Sequence, residues 1–451
     1  MQPETVTIEK IVNGGYGFAH LATGQVLLVR HALPGESVLV SIEETKKNHV
    51  FGRILQILSP HAARRIAPCR YFGQCGGCNL QQSDYCCQLQ IKTAIVRELL
   101  ERSKQEEVRN SLPLVAEPIG APEEFAYRQR LRLQVGKGGI LGFHAFHSHS
   151  LVPIRACLLA GTSLNATLTA LRTAVEVQKL MAVSSEVELQ ENPLTGKVVI
   201  IFHLERKPRP AEIVAAERFS ANSATVERIF FAGEHYSLMG PYGDSKETSA
   251  GKILGVHYPE MVGCGGDLLL SWEAGGFCQV NLRQNHNLIA VVLQFCGVIP
   301  GQRVLDLYCG MGNFAIPLAL QGADVLGMEG QGSAIRSAQH NAARAGCTTA
   351  CFRQSPIHDG CRELSASTAR FDCVVIDPPR QGAAELAGYL ATICRSRLVY
   401  ISCDPATLCR DLDDLVSHGF TIKRIQPIDM FPQTHHIENV VLLEKNEDFF
   451  S

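Results

Sequence analysis

The sequence predicts an α/β protein in three parts: a small antiparallel β-barrel, a central α+β region carrying a cysteine knot, and a C-terminal parallel sheet wound on both faces. Three observations carry this. Short alternating runs fill the stretch from Val6 to about Leu58 (TVTIEKIV, GGYGFAHL, GQVLLVR, ESVLVSIEET, HVFGRILQIL), parted by Gly-Gly, Thr-Gly and Pro-Gly turns, as in a small barrel. Cysteines bunch between Cys69 and Cys87. From about residue 265, the runs RVLDLY, DVLGM, TACFR, FDCVVI and RLVYIS each lead through a Gly- or Pro-marked loop into a helical run, the alternation of a parallel sheet.

A chain of 451 residues has room for about three domains, expected at 1–60, 61–264 and 265–451. After the basic join HAARRIAPC and the knot, CQLQIKTAIVRELLERSKQEE is apolar at three-and-four spacing and predicts a helix. Residues 121 to 260 read as strands with one helix. The last two strands, TIKRIQPI and NVVLLEK, have no helical run between them and should pair as an antiparallel hairpin at one sheet edge.

Composition excludes several classes. MQPETVTIEK has no apolar signal core, and the longest apolar run, LIAVVLQFCGVIP, is too short to span a bilayer. The expectation is a soluble, cytoplasmic monomer without membrane contact. A net charge of −2 neither favours nor excludes nucleic acid, because placement matters more than the sum. YRQRLRLQVGK has strand periodicity with a basic face, suited to a phosphate backbone or simply to solvent. Seventeen cysteines without a signal peptide argue against a disulfide scaffold and for metal ligation, chemistry or plain core filling.

VLDLYCGMGNFAIPLA is a strand ending at Asp306, a turn with Gly310 and Gly312, and a helix from about Asn313. Such a turn lets a ligand approach backbone N–H groups. It lacks the full glycine pattern for a pyrophosphate, and the next strand, DVLGMEG, ends in Glu329, an acid suited to ribose hydroxyls. A nucleoside without phosphates is preferred, and S-adenosylmethionine fits; a degenerate dinucleotide site or a plain helix cap are the alternatives.

Ligands of open α/β sheets bind beyond the carboxyl ends of the strands. Asp377 in IDPPR and Cys403 in ISCDP follow two such ends, and Glu438 in THHIEN opens the last strand. If that strand runs antiparallel, all three face one crevice. A thiol and a base beside a methyl donor suit alkylation at C5 of uracil. A thiolate adding at C6 makes C5 nucleophilic, and a base then removes the C5 proton so that the thiol can leave. Cys403 is the candidate nucleophile, its thiol expected to be acidified by the helix start at PATLCRDL, and Glu438 is the candidate base. The target base must be flipped out or unpaired. Arg380 replaces the stacking aromatic of the DPPY-type loop used by amino-group methylators. Cys373, Cys394 and Cys409 read as core.

Together these residues resemble the RNA uracil-C5 methyltransferases, in particular the bacterial branch acting on 23S ribosomal RNA, over nearly the whole chain. SCDPATLCRDL is similar to the family's nucleophile motif SCNPxTLARDL, with Asp404 here for the usual Asn. THHIENVVLL resembles the segment with the family's general base, which implies that role for Glu438. GGFCQVN resembles FFQVN and implies a cofactor contact by Gln279. The DLYCGMGNF turn implies contacts at Tyr308 and Asn313; Glu329 matches the ribose acid, Asp377 the DPP acid, and Ser355 fills the place where the family has Asn or Asp for the adenine end. The resemblance also implies a class I, Rossmann-like methyltransferase domain, an N-terminal TRAM module that holds RNA, and packing of a helix near 89–120 on the catalytic domain.

Cys69, Cys75 and Cys78 form C-x5-C-x2-C among Gly73, Gly76 and Gly77. Three close thiols in such a chain point to a metal, though not with the C-x3-C-x2-C spacing of radical S-adenosylmethionine chemistry. Spacing leaves zinc open. The resemblance implies a [4Fe–4S] cluster whose fourth ligand is Cys157, after GFHAFHSHSLVPIRAC, although Cys86 and Cys87 are nearer in sequence. The expected function is methyl transfer to a uridine of 23S rRNA. Transfer RNA is the alternative substrate, and a non-catalytic RNA chaperone is a second class that would need neither Cys403 nor Glu438.

Overall fold

The computed structural model describes residues 3–243, 253–261 and 266–446. Six N-terminal strands make one sheet, in the order Glu4–Thr7, Ser37–Thr45, His49–Ser59, Val26–Arg30, Tyr16–His20, Lys10–Val12. The two strands at its ends are consecutive in the chain, so the sheet curls around Val6, Ile8, Leu27, Val29, Val38 and Val40, all buried. The barrel is not wholly antiparallel as expected, because Val26–Arg30 and His49–Ser59 pair in parallel. The intervening Ser37–Thr45 strand pairs across the sheet with Glu4–Thr7, so the chain returns beside Val26–Arg30 in the same direction.

The central region is a seven-stranded sheet, ordered Tyr236–Tyr242, Val226–Gly233, Lys197–Leu204, Ser184–Asn192, Arg130–Gly136, Ile140–His144, Leu151–Pro153. Two long helices, Thr162–Thr173 and Pro210–Asn222, rather than one, share its core through Leu164, Leu168, Leu171 and Phe219. The basic strand is corrected too. Arg130 donates to Glu188 at 2.8 Å and Arg132 pairs with Glu186, both acids on the adjoining strand. Cross-strand pairing therefore neutralises the face that alternation alone presented as free.

The helix after the knot spans Tyr85–Glu101, capped by Asp84 accepting from the Cys87 N–H. It does not continue to 120. Asp413, far along the chain, takes hydrogen bonds from Ser103 Oγ and from the Lys104 and Gln105 N–H groups, which ends the helix, and a short turn Glu106–Arg109 follows. Val96, Leu100, Val108 and Val115 lie in one apolar core with Leu412, Leu415 and Ile425. Lys92 reaches Asp429 with both side chains fully buried.

The C-terminal sheet runs Ala350–Gln354, Asp324–Glu329, Arg303–Leu307, Phe371–Ile376, Cys394–Ser402, Glu438–Lys445, Phe420–Ile428. Its first five strands are parallel. Glu438–Lys445 lies antiparallel between Cys394–Ser402 and Phe420–Ile428, so its start shares an edge with the other strands' ends. Strand order reverses between Arg303–Leu307 and Phe371–Ile376, which puts the ligand crevice there. The boundary expected between 264 and 265 lies outside the described residues, but the strands on either side of it, Ile253–Met261 and Gly266–Glu273, pair with each other and pack into the C-terminal core through Leu254, Val256, Leu270 and Trp272. Among the described residues no helix is long and apolar enough to cross a membrane.

Candidate active site

At the carboxyl end of the C-terminal sheet lies a cleft of about 910 Å³ whose walls include Gln279, Tyr308, Glu329, Asp377, Cys403 and Glu438. One wall is the glycine turn. Gly310 has φ +55 and a Cβ there would meet nothing within 4 Å, whereas a Cβ on Gly312 would come 2.8 Å from Ile316. Gly310 therefore leaves room for a ligand, and Gly312 lets the turn close onto the following helix. Glu329, at its strand end, accepts from the Gly310 N–H at 3.3 Å and the Gln331 N–H at 2.8 Å. Its carboxylate is thereby oriented at the rim before any ligand arrives.

Two expected cofactor residues do not face this cleft. The Asn313 amide is spent on a reciprocal pair with Asn285, at 2.8 and 3.0 Å. Ser355 is buried, with its N–H donating to the Glu329 carbonyl and its hydroxyl to the Pro356 carbonyl. Ile357 and His358 line the cleft on that side instead.

Cys403 follows the Cys394–Ser402 strand and precedes the Pro405–Ser417 helix. Asp404 caps that helix, accepting from the Ala406 and Thr407 N–H groups at 2.9 and 3.1 Å, and Asp caps as well as Asn. The expectation of an acidified thiol is overturned. Burial pushes Cys403 up to about 12, with Glu438, Asp377 and Asp404 adding to the rise and Arg380 opposing it. A carboxylate-rich, partly dry cleft outweighs one helix start. Burial, followed by the nearby Asp377, also raises Glu438 well above the usual carboxylate range, while Arg380 opposes it. Burial takes Asp377 up to about 7. Proton-holding groups thus converge on one cavity.

The cleft also contains residues to which motif reading gave no role. Phe277, 64% exposed, sits at its wall two residues before Gln279, inside the GGFCQVN motif from which only the Gln279 contact was inferred. Phe431 and His436 line the side next to Glu438. His436 is held neutral, pushed down to about 3 by burial and by the neighbouring His435.

The second constellation is in the central region. Cys69, Cys75, Cys78 and Cys157 line one cavity of about 500 Å³. Cys86 is exposed and Cys87 is buried in the helix core, and neither lines it. The Cys75 strand-like turn is fixed by Gly76 N–H donating to the His144 carbonyl, and the Cys157 loop by its N–H donating to Asn165. Burial raises Cys75, Cys157 and, to about 12, Cys78. Arg128 lines this cavity and the large cleft alike, and its Nε is buried without a hydrogen-bond partner. Cys373, Cys394 and Cys409 are buried, as core residues should be.

Comparison with known proteins gives the family and the fold. Residues 265–446 match the model of the tRNA (uracil-5-)-methyltransferase family, and residues 2–55 match the TRAM domain. The chain is 32% identical to a 23S rRNA (uracil(1939)-C(5))-methyltransferase RlmD of Vibrio cholerae, with 98% of this chain and 96% of that protein covered. It is 33% identical to the RlmD of Pseudomonas putida, covering 98% and 93%. Its fold is similar to that of a Pyrococcus abyssi tRNA (uracil-54, C5)-methyltransferase solved with S-adenosyl-L-homocysteine, with a TM-score of 0.69 at 24% identity, covering 97% of this chain and 100% of that one.

Proposed function

The chain belongs to the RNA uracil-5-methyltransferase family, and from that premise we propose that it methylates C5 of one uridine in 23S ribosomal RNA, with Cys403 as nucleophile and Glu438 as base. The observation that carries this reading is the meeting of Cys403 and Glu438 in one cleft with Gln279, Tyr308, Glu329 and Asp377. Bound S-adenosylmethionine supplies an electrophilic methyl group. Glu329 and Gln279 would hold the donor, the Glu329 carboxylate offering acceptors to ribose hydroxyls; Tyr308 and Asp377 line the same cleft.

Cys403 must lose its proton before it adds to C6 of the flipped uracil. Asp377, taken up to about 7, is poised to accept that proton, Arg380 favours the thiolate, and burial makes Glu438 a stronger base once it is ionised. After methyl transfer Glu438 takes the C5 proton, the C5–C6 double bond reforms, and the Cys403 Sγ–C6 bond breaks.

The cysteine cavity is the place for a metal group. Cys69, Cys75, Cys78 and Cys157 would together hold a [4Fe–4S] group there, with zinc as the alternative. The unpartnered Arg128 Nε suits the negative charge of a thiolate-ligated cluster.

Incubation with tritiated S-adenosylmethionine and separate 23S rRNA and tRNA tests the reading. Label in 5-methyluridine of 23S rRNA is expected. Label in tRNA alone would move the substrate, and RNA binding without transfer would favour a chaperone. Cys403→Ala should lose both methylation and the covalent complex with 5-fluorouridine RNA.

A further inference from the structure

The residue that follows Cys78 reaches into the loop that leads to Glu438. The N–H groups of Asn79 and Leu80 both donate to the Gln433 carbonyl at 3.1 Å. Asn79 Nδ2 lies 2.8 Å from His435 Nδ1, and the His435 N–H donates to Asn79 Oδ1 at 2.9 Å. The rings of His435 and His436 lie 4.1 Å apart between centroids, and His436 also packs near Phe431, at 6.0 Å. His436, Phe431 and Glu438 are neighbours on the cleft wall.

Gln433 shows how tightly this loop is held from the cysteine side. It is fully buried with φ +72, a left-handed conformation that a side-chain-bearing residue seldom adopts. Its N–H donates to Gln88 Oε1 at 2.9 Å, and its own Oε1 accepts from Gln88 Nε2 at 3.0 Å. An uncommon backbone conformation persists only where its surroundings over-determine it. Here the surroundings are Asn79, Leu80 and Gln88, from the cysteine-bearing segment and the helix that follows, with Arg65 and Glu124 also bonded to the Gln433 side chain.

We propose that Asn79 is a positioning residue for the second half of the reaction: by locking His435 against His436 it fixes the cleft wall from which Glu438 removes the C5 proton. The inference rests on the reading of Glu438 as base and Cys403 as nucleophile. In that step the C5–H electron pair becomes the C5–C6 π bond, the proton goes to a Glu438 oxygen, and the Sγ–C6 bond breaks with its electrons returning to sulfur. A loosened wall leaves addition and methyl transfer intact and slows this elimination. The methylated adduct then persists.

The test uses the full-length protein, a 23S rRNA transcript with ordinary uridine, and tritiated S-adenosylmethionine, reading released product beside denaturation-resistant protein–RNA complex. Asn79→Ala should release product about tenfold more slowly, the effect of one lost positioning bond, while labelled covalent complex accumulates. Asn79→Asp should restore release in part, because an Asp carboxylate accepts from the His435 N–H and from Nδ1–H of the other imidazole tautomer but loses the bond that Asn79 Nδ2 donates to the Gly14 carbonyl at 3.2 Å. His435→Ala breaks the same link without touching the cysteine segment; it should trap adduct too, and the double variant should be no worse than either single one. If Asn79→Ala fails to fold, His435→Ala decides. Slow release without trapped complex, or unchanged release, overturns the proposal. Failure of the wild-type protein to form a complex with 5-fluorouridine RNA would instead overturn the reading it rests on.

Discussion

Lys92 Nζ meets Asp429 Oδ1 at 2.6 Å, with neither side chain exposed, across 337 positions of chain. The same ammonium donates to the Phe431 carbonyl at 3.0 Å, so one buried cation ties the helix after the cysteine knot to the start of the loop before Glu438. Removing one member of such a pair leaves an unpaired buried charge. Lys92→Met should cost about 3–5 kcal/mol, read as a lower midpoint in urea, whereas replacing both residues with apolar ones should recover much of the loss. A Lys92→Met midpoint equal to wild type would show the pair to be energetically idle.

Cys403 is a thiol at neutral pH, since burial above all holds it up at about 12. Its alkylation by iodoacetamide should therefore rise about tenfold per pH unit across the neutral and mildly alkaline range, as the thiolate fraction does. The neighbours set the signs. Removing the positive Arg380 raises the thiol further, so Arg380→Ala should slow alkylation. Glu438 is itself held protonated by burial and opposes the thiolate only as it ionises, so Glu438→Gln should speed alkylation toward the alkaline end of that range. The reverse order would show that neither group faces the sulfur.

Much of this architecture was legible because periodicity and punctuation are local. The strand runs from RVLDLY to NVVLLEK stand at Arg303–Leu307 through Glu438–Lys445, and the convergence of Asp377, Cys403 and Glu438 follows from strand direction alone. What escaped was set by distant partners. Arg130 and Arg132 lost their free face to Glu188 and Glu186, and Asp413 ended a helix from more than three hundred positions away. The Cys403 reading failed because a helix start is visible in sequence and the surrounding carboxylates and burial are not.

Gln279 and Asn313 carry the same implied role, yet only Gln279 lines the cleft. Loss of one donor contact should weaken S-adenosylmethionine binding by Gln279→Ala about tenfold, or ~1.4 kcal/mol, with little change in melting. Asn313→Ala should act mainly on stability, because it leaves the buried Asn285 amide without its reciprocal partner, at a cost of about 1–3 kcal/mol. Calorimetric titration and thermal melting separate the two. Equal effects of both variants on donor affinity would place Asn313 in contact with the donor.

The thiols at Cys69, Cys75, Cys78 and Cys157 supply the last test. Protein prepared without oxygen should carry about four irons per chain and absorb broadly near roughly 400 nm if an iron–sulfur group is bound; stoichiometric zinc without colour would assign the site to zinc. Cys157→Ser should lose most of the metal, whereas Cys86→Ser, whose residue is exposed and off the cavity, should keep it. Because the loop from Cys69 to Cys78 leads into Asn79 and the Tyr85–Glu101 helix, metal loss should also loosen the Gln433 segment. Hydrogen exchange should then quicken at the Gln433 and His435 N–H groups, which Gln88 and Asn79 hold, before it does in the parallel strands of the C-terminal sheet. Unchanged exchange at those two groups after chelation would mean that the cysteine site and the loop before Glu438 are mechanically independent.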